Sequence, residues 1–122
     1  MSMPCDPFPH IDLCIDQHGD KRFFIETTDQ DNVPLDLSAF SEITFIISAN
    51  VNSAILLSKT LTGATITITA GGVFYFDISS IESGALPTGI LYCEAQLIAT
   101  ATGDKQTICA GHFRNQNTRI GD

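Results

Sequence analysis

Apolar and polar residues alternate along most of the chain with a period of two, and clusters of turn-forming residues interrupt the alternation at short intervals. From His10 onward Ile11, Leu13 and Ile15 stand against Asp12, Cys14 and Asp16, the signature of a strand with one face buried. The QHGD segment at 17–20 turns the chain, and residues 21–27 place Phe23 and Ile25 on one face with Phe24 on the other. A polar connection at 28–34 leads towards residues 42–49, where Ile43, Phe45 and Ile47 share one side. Ile46 makes the opposite side apolar too, so this strand is expected to be covered on both faces. Residues 54–61 read as a further strand with a poorer pattern. Residues 65–69 set Ile66 and Ile68 among three threonines, a composition suited to a pleated surface. Ala70, Gly71 and Gly72 supply left-handed positions for a tight hairpin into residues 73–78, where Phe74, Phe76 and Ile78 share a face. The SSIE segment at 79–82 has the form of a capping box and predicts one helical turn, ended by Pro87 and Gly89. Residues 90–99 form a long strand with Leu91, Cys93, Ala95 and Leu97 inward, Thr102-Gly103-Asp104 is a hairpin tip, and residues 105–113 are the last strand.

Short strands joined by short turns, without an amphipathic helix of useful length, predict an all-β fold. The expected architecture is an immunoglobulin-like antiparallel β-sandwich of about 7–8 strands with one short helical turn. A chain of 122 residues suits one domain. Pro4, Pro7 and Pro9 remove backbone donors and fix φ, so residues 1–9 are expected to run as an extended arm rather than pair inside a sheet. The sandwich is expected over 10–114 and a polar tail over 115–122.

Composition adds an expectation about partners. Hydrophobic residues make up 43% and charged residues only 16%, so part of the surface is expected to be covered in an assembly. The net charge of −8 comes from 14 acids against 6 scattered bases. That distribution argues against a nucleic-acid partner, which needs clustered Lys and Arg. No apolar run approaches the roughly 18 residues of a membrane-spanning helix, and the N-terminus lacks the basic and apolar regions of a secretory signal. Synthesis in a cytoplasm is expected, with Cys5, Cys14, Cys93 and Cys109 as thiols, none of them in a CxxC pair.

No arrangement typical of catalysis is present. HExxH, GxSxG and the phosphate-binding glycine loop are all missing. His10, His18 and His112 have no partner assignable from the sequence, and Cys109 and His112, three apart on a strand, project to opposite faces. Asp29, Asp31 and Asn32 fall short of a calcium loop because no Gly occupies the sixth place. The expectation is a non-enzymatic protein without cofactor or metal. Most Phe fall on inward positions, whereas Phe8 and Phe24 do not, which makes those two candidates for contact with a partner.

The string DNVPLDLSAFSEITFII from Asp31, the hairpin across Gly71 and Gly72, and the strings DISSIESGALPTGILYCEAQLI and GDKQTICAGHFRN together resemble a small β-sandwich module of tailed-phage virions. The module is similar to the N-terminal domain of phage baseplate upper proteins, and the resemblance covers most of residues 20–114. Asn32 stands where that turn commonly has Gly, and Cys93 and Ala95 stand where Tyr and Leu are common. The resemblance implies a virion structural protein of tail, baseplate or head decoration, made in the bacterial cytoplasm. Its expected partners are other virion proteins, with several copies per particle or a homo-oligomer, and neither nucleic acid nor membrane. It carries no catalytic residues. Expected contacts are Pro4, Pro7, Phe8 and Pro9 in the arm, Phe24, and Arg114, Arg119 and Ile120 towards the tail. The alternative is a carbohydrate- or host-receptor-binding module that would use exposed aromatics and acidic loops.

Overall fold

Alternation fixes which side of each strand faces inward, and burying those sides requires two sheets packed face to face. A computed structural model, describing residues 10–28, 31–51, 53–69 and 72–116, shows that arrangement. The strands are β1 (His10–Asp16), β2 (Lys21–Glu26), β3 (Phe40–Ser48), β4 (Ile55–Thr60), β5 (Thr67–Ile68), β6 (Val73–Ile78), β7 (Gly89–Ala99) and β8 (Lys105–Gln116), with one helix, α1 (Ser80–Ala85). One sheet has the order β1-β8-β7-β3-β4 and the other β2-β6-β5. This is the immunoglobulin-like partition, in which β3, β4, β7 and β8 take the places of strands C, C′, F and G, and β2, β6 and β5 those of B, E and D. All pairs are antiparallel except β1 with β8, which runs parallel from His10↔Ala110 to Asp16↔Gln116. The all-antiparallel expectation therefore fails at that one pair. The reason is local: the turn at 17–20 carries the chain from β1 into the other sheet, so β1 has to pair with a strand distant in sequence.

The core forms where the inward faces meet. Phe23, Phe45, Phe76 and Phe113 are buried together, with Phe45 stacked on Phe76 at 4.2 Å and Phe23 at 5.6 Å from both Phe76 and Phe113. Ile43, Ile47, Phe74, Ile78, Cys93, Ala95 and Leu97 are fully buried around them. An aromatic cluster thus spans the two sheets where antibody domains place a disulfide against a Trp. Cys14, Cys93 and Cys109 are free thiols.

Two corners are held by polar groups. Glu42 accepts hydrogen bonds from the backbone N–H of Ile43, Leu61 and Thr62 and from the Thr62 hydroxyl, tying the start of β3 to the end of β4. Burial raises its pKa, but those hydrogen bonds outweigh burial and hold the carboxyl below its ordinary value. At the other corner α1 begins with the expected capping box, Ser79 and Glu82 each accepting from the other's backbone N–H. Ser83 Oγ donates to Gly19 O, and Ser80 N donates to Asp20, so the β1–β2 turn docks on the helix.

The last strand runs further than its pattern alone suggests, to Gln116 rather than 113, so the sandwich includes two residues placed in the expected tail. Asn115 is fully buried and donates from Nδ2 to the carbonyls of Ser83, Leu86 and Pro87 at 2.9, 3.1 and 3.2 Å. Continuing the period of two from Phe113 would have pointed residue 115 inward. Its polarity hid that: the Nδ2 donors of the buried amide are satisfied, while Oδ1 has no hydrogen-bond partner among the described residues.

Candidate interaction surfaces

The two outward sheet faces and the β4 edge differ in chemistry. On the five-stranded sheet, register sets Tyr92 beside His112, Glu94 beside Ala110 and Ile46, and Gln96 beside Thr107 and Thr44. Glu94 sits at the centre, accepting from Tyr92 OH, Gln96 Nε2 and Thr107 Oγ1. Towards β1, His112 Nδ1 lies 3.5 Å from Asp12 Oδ1 at an exposed position. At the end of this face Arg114 pairs across the ladder with Ile90, which is 62% exposed, beside a shallow depression of about 450 Å³ lined by Thr88, Gly89, Ile90, Arg114, Asn115 and Gln116.

The three-stranded sheet presents Phe24, 58% exposed, tilted against Tyr75 at 5.4 Å. Arg22 lies over the Tyr75 ring at 4.2 Å and grips Asp77 through two hydrogen bonds of 2.7 and 3.1 Å. The Arg22 hydrogen bond holds the Asp77 carboxyl below its usual range. Arginine therefore covers part of the Tyr75 face, leaving Phe24 as the open apolar ring.

The third surface is the β4 edge. Val51, Ile55 and Leu56 are 60%, 57% and 43% exposed. The cause is a bulge: Ile47 pairs with Leu57 and Ser48 with Ile55, so Leu56 is left over and alternation fails across 55–57. The poor pattern of residues 54–61 was the sequence signal for this surface, although it identifies no partner. Lys59 is buried, and its Nζ reaches Glu82 Oε2 at 2.6 Å.

Phe24 and Arg114, both expected as contacts, lie on the outward faces of different sheets and so cannot belong to one patch. Pro4, Pro7, Phe8, Pro9, Arg119 and Ile120 lie outside the described residues, as does Asp29 of the loop weighed for calcium. Among the described residues no three His, Cys, Asp or Glu side chains come together to hold a metal ion. Burial pushes the Cys93 thiol up to about 12 and the Cys109 thiol up to about 11, which makes both poor nucleophiles. Cys109 is buried and His112 exposed on opposite faces of β8. No protein-family model matches the chain, and no curated protein matches its sequence.

Proposed function

We propose that the chain is a non-enzymatic structural component of a tailed-phage virion, acting through protein–protein contacts in tail, baseplate or head decoration. Exposed apolar side chains carry this reading, above all Val51, Ile55 and Leu56 gathered within six residues of one sheet edge. Such clusters are unfavourable in water unless a partner covers them. The virion setting is supported by the sequence resemblance alone, since an immunoglobulin-like sandwich serves many functions. The resembling strings fall on the structural corners: the Asp36-capped turn before β3, the Ser79-capped helix and the turn into β8. Gradient-purified particles from infected cells, quantified by mass spectrometry, test the proposal. A fixed ratio of this chain to the tail or capsid proteins is expected, and recovery only in the soluble lysate overturns it.

The second reading, a carbohydrate- or host-receptor-binding module, is favoured by the exposed Phe24 beside Tyr75, since aromatic rings offer apolar stacking surface. A glycan array separates the two, because binding lost in Phe24→Ala would support the second.

A further inference from the structure

The strands β4 and β5 and the loop before β4 contribute almost no charge of their own to their side of the sandwich, which Glu42 and Glu82 border from β3 and α1. Between Glu42 and Asp77 the sequence holds a single charged residue, Lys59, and every other charge of the chain lies outside that segment. Lys59 is turned inward against Glu82, its side chain 7% exposed. The two edge strands close this side together, because the N–H groups of Thr65 and Ile66, leading into β5, both donate to Thr60 O at the end of β4, each at 3.0 Å.

The other edges carry guards against association. β1 has Asp12 and Asp16 exposed, β2 has Lys21, Arg22 and Glu26 exposed, and β5 is two residues long. β4 has neither an exposed charge nor a proline, and it displays Ile55 and Leu56.

We propose that a second copy of this chain covers this flank, in a two-fold contact centred on Val51, Ile55 and Leu56. Charge selects the occupant. Two chains of −8 repel each other over most of their surfaces, and the strands of the flank from β4 to β5 add no exposed charge of their own to that repulsion. A cationic partner would gain more from the acidic surfaces elsewhere. A two-fold contact is also self-complementary, placing an apolar patch on its own copy. The bulge at Leu56 interrupts a continuous strand-to-strand ladder, so side chains supply the contact. Its area is expected at or below about 800 Å² per partner, the low end for a specific interface, and a contact without a ladder or paired charges is expected to be weak, with a dissociation constant of about 10–100 µM. The proposal rests on the reading of the chain as an assembly module and is independent of the virion setting.

Sedimentation equilibrium of the full chain from about 5 to about 300 µM measures the pairing. The wild type is expected to pass from monomer to dimer across that range. Leu56→Glu and Leu56→Lys, each alone, put like charge against like across the two-fold and are expected to weaken pairing at least about 30-fold. An equimolar mixture of the two is expected to recover dimer. Melting temperatures within about 2 °C of wild type show that the fold is intact, and Val51→Glu replaces any variant that fails that check. A wild type that stays monomeric at the highest concentration overturns the proposal, as does a Leu56→Glu chain that dimerises like wild type or a mixture that does not recover. A different virion protein seated on β4 in intact particles overturns it too. A chain that is monomeric yet present in particles at fixed ratio defeats the pairing and leaves the virion setting standing, whereas a dimer absent from particles supports the pairing and defeats the virion setting.

Discussion

Replacing Gly111 by Ala tests the parallel β1–β8 pairing directly. Gly111 lies opposite Ile11 in that ladder, and a Cβ built on it would run into Ile11 O and come within 2.9 Å of Ile11 C and N. These are backbone atoms that no rotamer change can move, so β1 must shift bodily or leave the sheet. If it shifts, the cost is that of overpacking, about 1–3 kcal/mol. If it leaves, the chain loses the burial of Ile15 and the partial burial of Ile11 and Leu13. That amounts to about 1.5–3 kcal/mol for the first and about half as much for each of the others. Detachment would cost about 3–6 kcal/mol in all, so the cheaper shift prevails and the expected loss is about 1–3 kcal/mol, read as a lower urea midpoint and a fall in melting temperature of about 4–12 °C. Hydrogen exchange separates the two responses, since detachment deprotects the β1 amides while β3 and β7 stay slow. A Gly111→Ala protein within about 0.5 kcal/mol of wild type, with β1 exchange unchanged, would refute the close approach of the two strands.

Asn115→Ala strips the donors from three carbonyls at the α1 corner and also removes the unpartnered Oδ1, so it should cost about 1–3 kcal/mol by chemical denaturation, with early exchange in α1 and the 17–20 turn. Stability should fall on acidification. Glu42 and Glu82 have folded-state pKa values below their ordinary ones, because hydrogen bonds to Glu42, and the Lys59 and Ser79 contacts of Glu82, outweigh burial. Their contribution is complete above the ordinary carboxylate range and disappears as the pH drops through the folded values. Urea midpoints measured from about pH 6 to about pH 3 should therefore decline, and the decline should be shallower in Glu42→Gln. Cys93 and Cys109 should resist a thiol-specific disulfide reagent at about pH 8 in the native protein and react once urea unfolds it, because burial keeps both protonated. Fast native labelling of either would contradict their placement.

Strand positions, inward faces and the capping box could be read from the sequence because each depends on neighbours two to four residues apart. Ile43, Phe45 and Ile47, and likewise Leu91, Cys93, Ala95 and Leu97, are buried as their alternation requires. Pairing partners were harder to read. Nothing in residues 10–16 specifies a parallel partner about a hundred residues on, and Gly111 marks it only through a close approach visible in three dimensions. Asn115 and Lys59 were misleading for a shared reason: polar residues ordinarily lie outside, and these two are buried with their donors satisfied, the Asn115 Nδ2 by Ser83, Leu86 and Pro87 and the Lys59 ammonium by Glu82. Phe24 was legible as exposed from its outward parity, whereas Ile55 and Leu56 were legible only as a failure of alternation in 54–61, which the bulge at Leu56 explains.

Lys59 links the fold to the self-association surface, and two substitutions separate its roles. Lys59→Met combined with Glu82→Gln keeps the buried stem and removes both charges of the pair. Replacing both members of a buried pair by uncharged volume is often close to neutral, so stability should change by less than about 1.5 kcal/mol and dimerisation should stay as in wild type. Glu82→Gln alone removes the partner while Lys59 keeps its charge in a site 7% exposed. The ammonium then has to swing outward to regain water, onto flank strands that otherwise bear no charge. Each copy would present a cation near the two-fold, and pairing in the sedimentation assay should weaken, more so at low salt than at high. Equal effects of the double change and of Glu82→Gln alone on pairing would show that Lys59 acts through the fold alone and that the absence of exposed charge on the flank strands is incidental to association.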